Sequence, residues 1–331
     1  MGNRLQGRAA IVTGSGRGIG RGVALLLAEE GASVVVNDLG GAVDGTGTSV
    51  APADEVVAEI KAKGGTAISC YDSVATSDGA KKIVQAALDN FGHIDVLCHV
   101  AGILRDRMVF NMTEEEWDGV LNVHLYGAYN MVRNVMPHMI KQKYGRICLF
   151  SSGSGLGNSG QVNYSAAKEG MVGFARALSS ELKPHGISVN AIYPGAATRM
   201  TMTVPDSARE LRAARGITGG GEAAGRPPQQ MTAQGGGIAG PDEARAPDNN
   251  APKTVYLCSE AGGNITGQVI GTAGWQMSLY SPRHVTRSIH KNGRWTLDEL
   301  EELVPISLTA GLTNVAPATP AAPAPGSQPT G

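Results

Sequence analysis

The sequence predicts an α/β fold, a single doubly wound parallel sheet with helices on both faces. Two observations carry this expectation. Short apolar runs of strand length alternate with longer segments of helical period from residue 8 onward, and glycine, asparagine, aspartate or serine closes most of the runs. The first run also passes through a glycine-rich loop into a helix, a second strand and an acid within about 30 residues. Strands joined by helices in this rhythm lie parallel, with the helices distributed over both faces.

Residues 8–13 (RAAIVT) read as a buried strand, followed by Gly14-Ser15-Gly16-Arg17-Gly18-Ile19-Gly20. The next helix turns Ile19, Val23, Leu26 and Leu27 inward and ends at Gly31; residues 33–37 (SVVVN) then form a strand that leads directly into Asp38. The loop spacing is Thr-Gly-x-x-x-Gly-x-Gly. Glycines there let the backbone turn tightly and approach a pyrophosphate at a helix N-terminus, where free N–H groups and the helix dipole favour an anion. Asp38, about 20 residues past Gly18, is placed to accept from the adenosine ribose hydroxyls. A carboxylate at that point repels a 2′-phosphate, so the expected cofactor is NAD rather than NADP.

Residues 40–53 form a long Gly-, Thr- and Ser-rich loop. A helix is expected over about 52–62, a strand over 66–71 ending at Asp72-Ser73, a helix over about 77–90, and a strand over 96–100 leading to Ala101-Gly102. Asp72 could accept from the adenine amino group or cap a turn. From Glu114 a helix carries Trp117, Val120, Leu121, His124 and Leu125 towards Ile140. Residues 146–150 (RICLF) make the fifth strand, with Ser151-Ser152 at its end; the helix of Tyr164 runs to about Leu182, and residues 187–192 make the sixth strand, leading to Pro194-Gly195-Ala196-Ala197-Thr198. Over 205–252 the composition shifts to Gly, Ala, Pro and Gln, which buries little and reads as a lid or disordered insertion. A helix resumes at 253–258 and a last strand at 268–270. The domain is expected to span residues 1–308, with 309–331 an Ala- and Pro-rich disordered tail.

Composition narrows the function. Apolar residues make up 42% and charged residues 17% of the 331, with a net charge of −1, which gives no electrostatic basis for nucleic-acid binding. The four cysteines (70, 98, 148, 258) show no C-x-x-C pairing, and histidines do not cluster, so no metal framework is expected from spacing. No apolar run approaches membrane-spanning length. A soluble cytoplasmic protein that acts on a small molecule is the expectation.

The chemistry points to Tyr164 and Lys168. Four residues apart on one helix, they share a face about one turn apart. A phenol is a weak base at its ordinary pKa of ~10, but a cation beside it favours the phenolate. Such a pair can take a proton from an alcohol while hydride leaves the same carbon.

The ordered set Thr13–Gly20, Asp72, Ser151-Ser152, Tyr164-x-x-x-Lys168 and Pro194-Gly195 with Thr198 resembles the short-chain dehydrogenase/reductase family over roughly residues 5–280. The stretches 35–41 (VVNDLGG), 102–107 (GILRDR) and 142–147 (QKYGRI) are similar to its (3R)-hydroxyacyl-CoA dehydrogenase, or 17β-hydroxysteroid dehydrogenase type 4, branch. The resemblance implies a Rossmann-type domain and an NAD-dependent oxidation of a secondary alcohol, with a 3-hydroxyacyl-CoA as substrate. It implies Tyr164 as general base, Lys168 as ribose ligand and electrostatic tuner, and a serine that orients the substrate oxygen. Gly14, Arg17, Gly18, Ile19, Gly20, Asp38, Asp72, Ser73, Ala101, Gly102, Pro194, Gly195 and Thr198 would complete the cofactor site. It also implies a homodimer or homotetramer. The family's usual gap before the tyrosine selects Ser151, whereas counting along the strand from Arg146 selects Ser152, which is the serine favoured here. His124 stands where many family members have Asn, and could join a proton relay or fill the core; His99-Val100-Ala101-Gly102 replaces the usual Asn-Asn-Ala-Gly. Arg283, His284, Arg287, His290, Lys291 and Arg294 are a candidate rim for coenzyme A phosphates or a plain solvated surface. An NADPH-dependent 3-oxoacyl reductase and a weakly catalytic NAD-binding protein are the alternatives.

Overall fold

The computed structural model describes residues 2–198 and 242–312. One eight-stranded sheet runs through it in the order β3-β2-β1-β4-β5-β6-β7-β8. The strands are β1 (Ala9–Thr13), β2 (Ser33–Asn37), β3 (Thr66–Cys70), β4 (Val96–His99), β5 (Gly145–Phe150), β6 (Ile187–Tyr193), β7 (Val269–Gly271) and β8 (Ser278–Leu279). Pairing is parallel from β3 through β7, and β8 returns antiparallel along the edge. The chain winds outward from β1 in one direction and from β4 in the other. This leaves a crevice at the strand ends between β1 and β4, the place where doubly wound sheets bind ligands.

Successive strand residues face opposite sides, and the core divides accordingly. Ile11, Val35, Leu97, Ile147, Leu149, Val189 and Ala191 face one apolar layer. That layer is covered by α3 (Ser77–Phe91), α5 (Gly127–Gln142) and α6 (Val162–Leu182), which contribute Ile83, Val84, Met131, Val135, Met171, Val172 and Leu178. Their neighbours Ala10, Val12, Val34, Val36, Val96, Cys98, Cys148, Phe150 and Ile192 face the other layer. It is closed by α1 (Gly18–Glu29), α2 (Ala51–Ala62) and α7 (Ala251–Cys258). Every residue of β1, β4, β5 and β6 is buried, as expected for a parallel sheet covered on both faces.

The helix expected from Glu114 is two α-helices joined by a π turn. It comprises α4 (Glu114–Leu121), opened by a Thr113/Glu116 capping box, then the π segment Asn122–Tyr126, then α5. π turns inside α-helices often mark functional positions, and this one carries His124.

Two boundaries of the sequence reading change. Residues 205–241 of the expected insertion lie outside the described residues, but its last part is core. Ala244, Asn250 and Ala251 are at most 3% exposed, and α7 begins at Ala251. Of the expected tail, 309–312 continue a turn and 313–331 lie outside the described residues. The sequence reading also missed β8 and a helix, α8 (Leu297–Ile306), which begins with a Thr296/Glu299 capping box and buries none of its residues.

Candidate active site

A cleft of about 1430 Å³ opens along the strand ends, reaching from the glycine loop to Tyr193 and Tyr280. At its floor, Gly14 carries a φ of +65°, and a Cβ there would lie 2.7 Å from the Ala101 backbone. A Cβ on Gly20 would lie 2.2 Å from the Gly14 carbonyl. The loop after β1 is therefore packed between the β4 exit and α1, and only hydrogen fits at both positions. Arg17 precedes α1, and no acid occupies its first turn, which leaves the positive helix end open to an anion.

Asp38 binds the loop from the side. Its carboxylate accepts from Gly16 N at 2.8 Å and from Gly40 N at 2.6 Å. The long 40–50 loop folds over the cleft beside it and joins the segment after β4, where Leu104 N donates to Val43 O at 2.9 Å. Leu39, Gly41, Ala42, Val43 and Gly45 consequently line the cleft, a contribution that sequence reading did not identify. Asp72 and Ser73 line it after β3, with Asp72 3.5 Å from the exposed Lys82 ammonium. Ala101 and Gly102 line it after β4, and Pro194, Gly195 and Thr198 after β6.

The two serines separate cleanly. Ser151 is buried and donates to the Lys168 carbonyl at 2.5 Å, so it braces α6 against β5. Ser152 turns the other way, accepts from Ser154 N at 3.1 Å and faces the Tyr164 hydroxyl. Lys168 is 3% exposed, donates its ammonium to the Phe150 carbonyl, and lies 5.4 Å from the Tyr164 ring centre.

The electrostatics differ from the sequence expectation. Burial raises the Tyr164 phenol to about 12, opposed by the Ser152 hydroxyl and reinforced by the Asp106 charge. Burial also lowers the Lys168 ammonium to about 7. Desolvation penalises whichever form is charged, so in the open cleft both groups move towards neutrality. Ser152, rather than Lys168, is the neighbour that favours the phenolate.

Two buried imidazoles back the site. Thr13 Oγ1 accepts from Val100 N and Ala101 N, both at 3.2 Å, so its proton goes to His99 Nδ1 at 3.0 Å. His99 therefore carries its own proton on Nε2. That N–H faces the carbonyls of Val123 and His124 in the π turn but falls short of good bonding geometry. Burial and then the Lys168 charge hold His99 down to about 3. His124, lowered by the same two causes, bonds Ile103 through Nε2 and stands edge-on to Tyr164 with ring centres 5.1 Å apart. Its Nδ1 has no partner. Gly102 is what admits this ring, because a Cβ there would lie 2.2 Å from His124 Cε1.

Asn250 is a positioning residue that the sequence did not announce, since it falls in the stretch read as a lid. It is fully buried, exchanges hydrogen bonds with Gly195 N and O, and accepts from Thr272 at 2.7 Å. The basic cluster after β7 is largely engaged within the chain. Arg283 pairs with Glu169, Lys291 pairs with Glu299, and Arg287 donates to carbonyls of residues 307–310.

A dinucleotide fits what is present: a glycine cradle too close for side chains, a helix N-terminus, a carboxylate beside the loop, and a phenol with serine and lysine at the far end. Comparison with known proteins agrees. The family profile described as short chain dehydrogenase matches residues 8–209. A short-chain type dehydrogenase/reductase of Mycobacterium tuberculosis is 46% identical over 269 residues, covering 81% of this chain and 83% of that protein. Peroxisomal multifunctional enzyme type 2 of Mus musculus is 50% identical over 292 residues, 88% of this chain but 35% of that enzyme, so the chain spans about a third of its length. Among solved structures, a short chain dehydrogenase from Mycobacterium avium superposes with a TM-score of 0.73 at 36% identity, covering 92% of this chain and 95% of that one.

Proposed function

Since the chain belongs to the short-chain dehydrogenase family and is an oxidoreductase of its fold, we propose that it oxidises the 3-hydroxyl of a 3-hydroxyacyl-CoA to a ketone with NAD. The observation that carries the reading is Ser152 facing the Tyr164 hydroxyl, with Lys168 beside it, at the end of a cleft whose other end is the glycine loop and Asp38. Bound NAD supplies the hydride acceptor. Ser152 and Tyr164 hold the substrate hydroxyl between them. Tyr164 takes its proton as the carbon–hydrogen bond breaks, Ser152 favours the phenolate so formed, and Lys168 would hold the ribose of the cofactor beside it. His124 continues the polar path behind Tyr164, and its unpartnered Nδ1 is the atom available to a relay.

Cofactor choice follows from Asp38. An ionised carboxylate offers about four acceptor sites, and two are taken by Gly16 and Gly40. The remaining two match the two hydroxyls of a ribose, whereas a 2′-phosphate brings negative charge and cannot supply both donors. This argues against the NADPH-dependent reductase. The acyl-CoA assignment rests on the likeness to the peroxisomal multifunctional enzyme and on the solvent-facing His284, His290 and Arg294. Assembly as a homodimer or homotetramer through α4, α5 and α6 would cover the exposed Phe110, Tyr126, Tyr129 and Val162.

The test is NADH formation from NAD across a panel of 3-hydroxyacyl-CoA thioesters and free hydroxysteroids, with Tyr164→Phe alongside. Thioester turnover that Tyr164→Phe abolishes supports the reading. Turnover of free steroids alone moves the substrate, and NAD binding without any turnover refutes the catalytic assignment.

A further inference from the structure

Three of the four cysteines, scattered in sequence, meet at one point in the fold. Cys98 on β4 and Cys148 on β5 are register partners facing the α1/α7 layer, and Cys258 ends α7 above them. Cys258 Sγ lies 3.7 Å from Cys98 Sγ and 3.8 Å from Cys148 Sγ, and all three sulfurs fall within 4.8 Å of one another. All are free thiols, and none exceeds 1% exposure. Motif spacing cannot reveal this group, because Cys258 is 160 and 110 residues from its partners.

We propose that Cys98, Cys148 and Cys258 form a three-thiol site that captures one trivalent thiophilic ion, the class to which arsenite belongs. Separations of 3.7 and 3.8 Å are within the span of two bonds of about 2.3 Å from one centre, and a pyramidal three-coordinate centre asks the sulfurs to close by only a few tenths of an ångström. Charge then selects the ion. Three thiolates around a divalent ion leave one negative charge, and around a monovalent ion two, in an apolar layer where net charge is costly. A trivalent centre leaves none. Zinc would also want a fourth donor. The polar residue adjoining the pair in the same row of the sheet is Asn190, register partner of Cys148, and its amide is committed to Ile265 O and Gln268 N. The reaction is a condensation in which three As–O bonds are replaced by three As–S bonds. Each thiol proton leaves with a hydroxide as water, and no oxidation state changes.

The site lies directly behind the catalytic strand ends. Cys98 precedes His99, and Cys148 lies two residues before Phe150, whose carbonyl holds Lys168. A captured ion would pin α7 to both strands. Burial makes entry depend on α7 lifting, so uptake should be slow and should accelerate in mild urea.

The experiment incubates the reduced full chain with sodium arsenite, removes the excess, and weighs the protein by electrospray, with zinc chloride as a parallel probe. The expected result is one arsenic per chain, with a mass gain of one arsenic less three hydrogens and a raised thermal midpoint. Cys70→Ser should retain uptake, and Cys98→Ala, Cys148→Ala and Cys258→Ala should each lose it. No uptake even after refolding in arsenite would overturn the proposal. So would a product that has lost only two thiol hydrogens, or zinc retained in preference to arsenic. The hydrogen count is read on the unaltered chain, so the test survives a variant that fails to fold.

Discussion

Replacing Lys168 by methionine should stabilise the cofactor-free protein in mild acid while abolishing turnover. Lys168 is buried, and its ammonium falls from 10.5 to about 7, worth roughly 5 kcal/mol at ~1.4 kcal/mol per unit. The folded state binds fewer protons than the unfolded state between those two values, so unfolding free energy rises with pH across about 7 to 10.5. Below that window both states carry the charge, and the folded state bears the whole penalty. Methionine keeps the length of the stem and removes the charge, but leaves the Phe150 carbonyl without its ammonium donor, a loss of about 1–3 kcal/mol. The variant should therefore be more stable by about 2–4 kcal/mol at pH 6, with the advantage gone or reversed near pH 10. Urea unfolding of both proteins at a series of pH values, without cofactor, measures this directly. A variant less stable at pH 6, or a difference that does not change with pH, would refute the burial argument. Retained turnover would refute the role of the ammonium.

Ser152→Ala should lower kcat by about 100-fold, as loss of a positioned donor does, whereas Ser151→Ala should keep kcat within about twofold and cost about 1 kcal/mol of stability; the opposite pattern would reassign the serine. Gly102→Ala drives a methyl into the His124 ring and should lower kcat/KM at least tenfold, or about 1.4 kcal/mol, while binding of NAD, followed by fluorescence quenching, changes less. Asp38→Asn should cut the preference for NAD over NADP by about tenfold, since it removes the charge that repels a 2′-phosphate at a cost of ~1–2 kcal/mol; an unchanged kcat/KM ratio for the two cofactors would show that Asp38 does not set the choice.

The sheet was legible because its strands are short, apolar and cleanly punctuated, and β1 to β6 fall within a residue or so of expectation. The glycine loop was legible because close approach at Gly14 and Gly20 admits one residue type. The serine could not be settled by counting, since adjacent strand residues face opposite ways and the decision rests on whether the loop or the strand lost a residue. Packing sends Ser151 into α6, and the proposal of Ser152 rests on that. The pKa of Tyr164 was misjudged because sequence places Lys168 on the same face but says nothing of how deeply both are buried. Asn250 was hidden by its surroundings, since composition reports the average of a stretch and this residue is its exception. The start of α8 did leave a signal in Thr296-x-x-Glu299, which a search for capping boxes would have found.

The π turn at Asn122–Tyr126 sets a phase. Closing i to i+5 consumes one residue more than the flanking helix requires, so side chains on α4 and α5 are offset by about one residue, ~100° of rotation, while the rod itself stays continuous. The residue presented to Tyr164 is thus chosen by where the extra residue sits, independently of how either end of the rod is anchored. Shifting that surplus along the rod by one position would bring Val123 or Leu125 to the place of His124, leaving Val120 and Met131 on their own layers. The identity of the group behind the phenol is in this sense an adjustable dial, and a single insertion or deletion between residues 121 and 127 is the change that turns it.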